Sequence, residues 1–305
     1  MAELQRFLTQ EFVRTLAKRQ AGVYPQLACF SQDTVGNRII VSGFFEEPVL
    51  DCLAKELFPA MPEGAIAVDI GANVGNHSVY FSKYFDQVHS FEPNQRTYYL
   101  LQANAMISPK IIPYNIGCSD TAFVQDVVYD TRNVGAARLM PTDNGDARAS
   151  QEAGLPQGVL QAQFSLDRLD KVLPKELHNR VGFIKIDVEG HEAQAVKGAA
   201  EVIATSNPVI GFEVGASEVR NGTTAAKEAL IELGYDHYYY LQDTAPFYER
   251  SETLAKLLNA FSVLFTSRKL LEHMTIRPLL NGFDGKTSHN MVLASRGPLS
   301  LAQSD

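Results

Sequence analysis

Asp69, Gly71, Asn73 and Gly75 are spaced D-x-G-x-N-x-G in the string AIAVDIGANVGNHSVYFSKYF (65–85), where an apolar run ends and helical spacing begins. Glycines at such a turn let the backbone approach a ligand closely, and the first N–H groups of the following helix are open to a carboxylate or phosphate. A nucleotide-like ligand at a strand-to-helix turn is therefore expected. QVHSFEP then ends near Glu92, 23 residues beyond Asp69, where the second strand of such a unit places a carboxylate. An acid at that distance accepts hydrogen bonds from both hydroxyls of a ribose.

The glycine pattern separates two ligand classes. A dinucleotide site uses G-x-G-x-x-G so that pyrophosphate can rest on the helix start. Here Asn73 replaces the second glycine, and Asp69 puts a negative charge at the strand end. That charge is unfavourable for pyrophosphate and favourable for an ammonium or a sulfonium. S-adenosylmethionine carries both cations and is the expected cofactor. A nucleotide-dependent oxidoreductase and a catalytically idle nucleotide-binding module are the rival readings.

A second dense cluster is FIKIDVEGHEAQAVKGA (183–199), where Lys185, Asp187, Glu189, His191 and Glu192 crowd a strand end. Ligands of doubly wound sheets bind beyond the carboxyl ends of the strands, so Asp187 is expected to face the methionine end of the cofactor. Methyl transfer is an in-line displacement that needs no covalent enzyme intermediate. Cys118 is accordingly read as pocket lining. A hydroxyl acceptor benefits from a base, and His191 and Glu189 are the candidates, with Asp187 beside them. A metal that lowers the acceptor's pKa is the alternative to a base, with Asp187 and Glu213 at adjacent strand ends as oxygen ligands suited to Mg²⁺, but two clear ligands are few, Glu213 is equally placed to touch substrate, and no metal ligands are assigned.

The elements that must position these groups follow from periodicity. AIAVDI (65–70), QVHSFE (87–92), IIPYNIG (111–117), FIKIDV (183–188) and PVIGFEV (208–214) are short apolar runs separated by helical or polar stretches. Such runs suit parallel strands buried on both faces, and their alternation with helices predicts an α/β doubly wound sheet. DHYYYLQD and HNMVLAS (289–295) read as strands at a sheet edge. The expectation is a Rossmann-like, mostly parallel, seven-stranded sheet in a domain over 63–305, preceded by an extension over 1–62.

Within that extension Leu4, Phe7, Leu8, Phe12 and Leu16 have helical spacing and predict a helix that acts as a lid or supports a partner subunit. Cys29 to Phe45 reads as a hairpin with its turn at Gly36-Asn37, and Pro48 to Phe58 as a short helix. Tyr129 to Gln161 is a long polar segment, a loop or an extra hairpin near the substrate. A helical insertion is expected over about 243–288, where Leu254, Leu257, Leu258, Phe261, Leu264 and Phe265 make an apolar face for core packing or a cap.

Composition narrows the partners. With 27 basic and 35 acidic residues the net charge is -8, so the surface repels phosphate backbones and nucleic acid is not an expected partner. Cys29, Cys52 and Cys118 form no CxxC pair, which argues against a disulfide framework or thiolate zinc site and fits a reducing, cytoplasmic setting. No window approaches the ~20 apolar residues of a membrane span. Peripheral membrane contact and a homo-oligomer stay open.

The string VDIGANVGNHSVYF, followed by FEP, Asn104, IGCSD, FSLDRL, KIDVEGHEAQAVKG and VIGFEV, resembles the FkbM family of methyltransferases, with motifs in order from about Gly43 to Ser295. The resemblance implies a Rossmann-like fold of class I methyltransferase type and S-adenosylmethionine as donor. It also implies O-methylation of hydroxyls on sugars, glycans or secondary metabolites. Carried over by position, Asp69, Gly71, Asn73 and Gly75, with Ala72 and Asn76 beside them, line the methionine and ribose. Glu92 holds the ribose, Cys118, Ser119 and Asp120 border the adenine, and Asp187 completes the pocket. His77 and His191 depart from the family's pattern.

Overall fold

The computed structural model describes residues 2–130, 138–139, 159–243 and 274–302. The chain opens with helix α1 (Ala2–Gln20), α2 (Thr34–Ser42) and α3 (Glu47–Cys52), the last continuing through a π turn and a 3-10 turn to Ala60. Then come β1 (Ile66–Ile70), α4 (Asn76–Phe81), β2 (Val88–Phe91), α5 (Gln95–Ala105), β3 (Ile111–Tyr114), β4 (Gly117–Cys118) and β5 (Phe123–Asp130). After β6 (Arg138–Leu139) and β7 (Val159–Asp167) follow α6 (Leu169–Val172), β8 (Val181–Ile186), α7 (Glu192–Gly198) and α8 (Ala200–Ser206). β9 (Val209–Val214), α9 (Ala225–Glu232), β10 (His237–Asp243), β11 (Met274–Pro278) and β12 (His289–Ser295) complete the order.

The main sheet has eight strands in the order β11-β10-β12-β9-β8-β1-β2-β3. The five from β9 to β3 are parallel, and β12 runs antiparallel between β9 and β10. The expected α/β doubly wound architecture is present, with eight strands where seven were expected. The extra strand is β11, which pairs antiparallel with β10 inside the span expected to be a helical insertion. The apolar face from Leu254 to Phe265 lies outside the described residues, as does most of the polar segment after Tyr129. That segment's flanks, β5 and β7, pair antiparallel through the whole of β5, so the ends of the segment are brought together. IIPYNIG is not one strand: Asn115 and Ile116 break it, and Gly117–Cys118 joins β7 in a second, four-stranded sheet.

All five residues of β1 are buried, as a central parallel strand requires. Period-two alternation divides them between two cores. Ile66, Val68 and Ile70 pack with Leu169, Ile184, Ile203 and Phe212 on one face. Ala67 joins Val79, Phe81, Phe85 and Phe183 on the other, where Phe44, Leu50, Leu53 and Leu57 of the N-terminal extension complete the layer. Hence the extension from Phe44 onward closes the same core as the sheet.

The hairpin expected over Cys29 to Phe45 is absent, and helix α2 takes its place. Asp33 accepts a hydrogen bond from the Thr34 N–H at 2.9 Å and caps the helix, and Ile39 faces inward. Gly36 serves close packing instead of a turn, since a Cβ there would lie 1.9 Å from the Phe30 carbonyl oxygen. α1 forms as expected, with Leu4, Phe7, Leu8 and Phe12 each more than half exposed. No described helix is long and apolar enough to cross a membrane.

Candidate functional site

A cavity of about 330 Å³ opens at the carboxyl ends of β1, β2, β8 and β9, within the size range of small-ligand sites. Its floor is the turn after β1. Gly71 and Gly75 have φ of +78° and +86°, and Asn73 adopts φ 51°. A Cβ on Gly71 would stand 1.8 Å from the Asp187 carbonyl oxygen, so only glycine lets β1 and β8 approach there. The Glu92 carboxylate locks the turn: Oε2 accepts from the Asn73 N–H at 2.9 Å and Oε1 from the Asn94 N–H at 2.8 Å. Burial pushes this carboxyl up, with the two N–H groups pulling the other way.

Two asparagines hold the N-terminal extension over this turn. Asn76 donates to the Phe45 carbonyl and accepts from the Phe45 N–H, both at 2.9 Å. Asn104 makes the same pair with Ala28 at 2.9 and 2.7 Å and also donates to the Val74 carbonyl at 2.6 Å. Thr34, Val35, Phe45 and Glu46 thereby become part of the cavity wall.

The far end of the cavity is ionic. Lys185, only 3% exposed, donates to the Gly71 carbonyl at 3.2 Å and lies 3.2 Å from Asp187 and 3.4 Å from Asp69. Burial works against its charge, but Asp187 and Asp69 outweigh burial and hold the ammonium's pKa above its ordinary value. In turn Lys185 overcomes the burial of Asp187 and keeps that carboxyl below the usual range. Glu213, at the end of the neighbouring strand β9, stands beside Asp187, and its own pKa is pushed up to about 8 by burial and then by the Asp187 charge. Nearby, His77 Nε2 lies 3.2 Å from Glu46 Oε2.

Of the residues singled out in the sequence, Gly71, Ala72, Asn73, Asn76, Glu92, Cys118, Asp187, Glu189 and His191 line one cavity. Asn73 Oδ1 has no hydrogen-bond partner among the described residues, which leaves an acceptor on that wall for a donor-bearing ligand. The Asn76 amide faces Phe45, so it shapes the wall through the extension.

Asp69, Gly75, Ser119 and Asp120 lie off the cavity wall. Asp69 is fully buried. It accepts from Ser78 Oγ at 2.6 Å, and Ser78 in turn accepts from Ser90 Oγ. Its carboxylate thus holds Lys185 from below the floor, while Asp187 lines the cavity itself.

The three candidate catalytic residues separate. His191 Nε2 is 2.9 Å from Ser119 Oγ and sits edge-on to Phe123, so it belongs to the β4 end of the cavity, away from β9. Burial lowers its pKa, with Asp120 opposing. Glu189, at φ 55°, and Gly190 form a loop whose Val188 and Gly190 N–H groups both donate to Glu192 at 3.1 Å. Cys118 is 2% exposed, with burial and then Asp167 raising its thiol pKa, as suits a lining residue.

Lys185 was legible as a lysine inside the apolar run FIKID, where a buried cation demands partners, yet its partners were not. Glu46 and Asn290 carried no sequence signal. Among the described residues no group of three or more His, Cys, Asp or Glu is placed to hold a metal ion.

The lining holds five carboxylates, Glu46, Glu92, Asp187, Glu189 and Glu213, against the single ammonium of Lys185. The Glu92 carboxyl at one end, an apolar strip of Pro93, Cys118, Phe164 and Leu166, and an acidic far end suit a nucleoside that bears positive charge. Among the described lining residues Lys185 is the one ammonium, and it is already paired with Asp187 and Asp69, an arrangement that does not favour a pyrophosphate.

Comparison with known proteins gives one family. A profile of the methyltransferase FkbM domain matches residues 69–252. The hexuronic acid methyltransferase AglP of Haloferax volcanii is 26% identical over 54% of this chain and 61% of its own length. Methyltransferase sdnD of Sordaria araneosa is 26% identical over 46% of this chain and 62% of its own. The chain thus spans about three fifths of the length of these curated relatives. A methyltransferase FkbM structure from Methylobacillus flagellatus KT superposes with a TM-score of 0.37 at 16% identity, covering 80% of this chain and 57% of that one.

Proposed function

The chain belongs to the FkbM methyltransferase family, and we propose that it transfers the methyl group of S-adenosylmethionine to a hydroxyl of a sugar, glycan or secondary metabolite. The observation that carries this reading is the charge division of the cavity, with Glu92 at one end and Asp187 and Glu213 at the other. S-adenosylmethionine supplies an electrophilic methyl on a sulfonium. Glu92 receives the ribose hydroxyls while its backbone bonds fix the turn. The strip from Pro93 to Leu166 takes the adenine. Asp187 and Glu213 meet the cationic end.

The strand order supports this polarity. From Glu92 on β2 to Glu213 on β9 is three strand spacings, roughly 14 Å, so the acceptor's place is next to Glu213. Holding oxygen and methyl carbon in line there supplies about 7–11 kcal/mol of the barrier as avoided entropy loss. One of the two relatives is named for a hexuronic acid, which supports a hydroxylated acceptor.

Titration calorimetry with S-adenosylmethionine, its demethylated product and NAD, repeated on Glu92→Ala, tests the reading. Binding of the first two, lost in the variant, is the expected result. Binding of NAD alone, or of none of them, overturns it.

A further inference from the structure

Asp187 and Glu213 directly follow the paired residues Ile186 and Phe212 at the ends of adjacent parallel strands and line one cavity, which places two carboxyl groups where they can pair through one proton. Two carboxyl groups can share a hydrogen bond only when one of them carries a proton. Lys185 decides which. Its ammonium is 3.2 Å from Asp187 and holds that partner ionised, which leaves the proton on Glu213.

The other groups around the pair reinforce this division. Glu189, in the loop after β8, and Glu192, at the start of α7, both oppose negative charge on Glu213. His77, from α4, acts on Asp187 and favours its ionised form. From β12, Asn290 lines the cavity, while His289 opposite Val214 rests against Tyr240 and Phe283. No cation among these groups sits against Glu213 itself.

We infer that Glu213 is the general base of the reaction, and that it is armed when a sulfonium-bearing ligand enters and displaces the proton it shares with Asp187. The inference rests on the methyl-transfer reading above. A positive charge brought beside a protonated carboxyl favours its ionised form. The shared proton leaves to solvent, and Glu213 is then a carboxylate facing the acceptor. As the acceptor oxygen forms its bond to carbon, the carbon–sulfur bond breaks and its electron pair returns to sulfur. The hydroxyl proton passes to Glu213. With the sulfur now neutral, the protonated Glu213 regains its hydrogen bond to Asp187, so the demethylated product leaves a site that has already reset.

Calorimetric titration at pH 7 in several buffers of different ionisation enthalpy counts protons released on binding, independently of turnover. S-adenosylmethionine is expected to release close to one proton per site, and the demethylated product, whose sulfur is neutral, close to none. Glu213→Gln is expected to abolish the release and to lower kcat by roughly 100-fold or more, with a smaller change in cofactor KM. Glu213→Asp, which keeps an ionisable group, is expected to restore the release and part of kcat. A thermal melt of each variant confirms that it folds. Binding of S-adenosylmethionine without proton release, or release that persists in Glu213→Gln, overturns this inference alone. No binding of either ligand overturns it together with the methyltransferase reading.

Discussion

Asn76 and Phe45 exchange two hydrogen bonds of 2.9 Å, so a side-chain amide on the cofactor turn pairs with the backbone of the N-terminal extension as one strand pairs with another. The pair is 3% exposed at Asn76, in a dry setting where an unmet N–H or carbonyl is costly. Through it the extension is fixed relative to the helix that follows Gly75, and Glu46 is fixed beside His77.

Asn76→Ala removes both bonds and leaves Phe45 without partners. A loss of about 1–3 kcal/mol of stability is expected, together with weaker cofactor binding, because the wall formed by Phe45 and Glu46 is released. Asn76→Asp retains the acceptor but not the donor and should fall between. Thermal unfolding and cofactor titration of the two variants check this, and equal melts for Asn76→Ala and the parent would discard the clamp.

The turn after β1 was legible because its determinants are local: Asp69, Gly71, Asn73 and Gly75 fall within seven consecutive residues, and Glu92 lies one strand away. The parallel strands were legible for the same reason, as short apolar runs. What sequence could not supply was the direction in which a polar group is satisfied. Asp69 reads as a ligand group because it ends a strand, but Ser78 and Lys185 claim it from the opposite side. Gly36 reads as a turn because glycine permits one, whereas the contact that requires it is the carbonyl of Phe30. His191 follows Asp187 by four residues, yet the chain reverses at Gly190 and hands it to Ser119. In each case a tertiary contact, invisible to local spacing, decides where the group points.

Lys185→Met tests the ionic floor. The substitution removes the cation and leaves Asp69 fully buried with one oxygen unpaired. Breaking a buried ion pair from one side costs about 3–5 kcal/mol, so a large drop in melting temperature is expected. Adding Asp69→Asn should recover much of the loss, since the uncompensated charge is then gone. A double variant no more stable than Lys185→Met would show that Asp69 and Lys185 are not coupled.

His191→Ala distinguishes the two ends of the cavity. With its ring bonded to Ser119, His191 supports the β4 end of the cavity, where the proposed cofactor pose puts the adenine. Loss of one such bond, roughly 0.5–1.5 kcal/mol, corresponds to a 2- to 10-fold rise in cofactor Kd. The pH dependence of kcat should keep its shape. If instead kcat falls a hundredfold or more and its acid limb disappears, His191 is the base and Glu213 is not.

The stability of the ligand-free protein should report on Glu213 directly. Its pKa is about 8 in the fold against an ordinary value of 4.5, chiefly because it is buried and then because Asp187 is charged. Between those two values the folded chain holds a proton there that the unfolded chain has released. The unfolded state binds fewer protons, so this group makes stability fall as pH rises from about 5 to about 8. Glu213→Gln mimics the protonated form at every pH and removes that dependence. The melting temperature of the variant relative to the parent should therefore climb steadily in the variant's favour over this window, and level off above it. The same series on Glu201→Gln, an exposed residue of α8 away from the cavity, controls for the general loss of one negative charge. A difference between parent and Glu213→Gln that stays flat from pH 5 to 8, or that runs the other way, would mean that Glu213 is ionised in the resting fold. It would then hold no proton to share with Asp187.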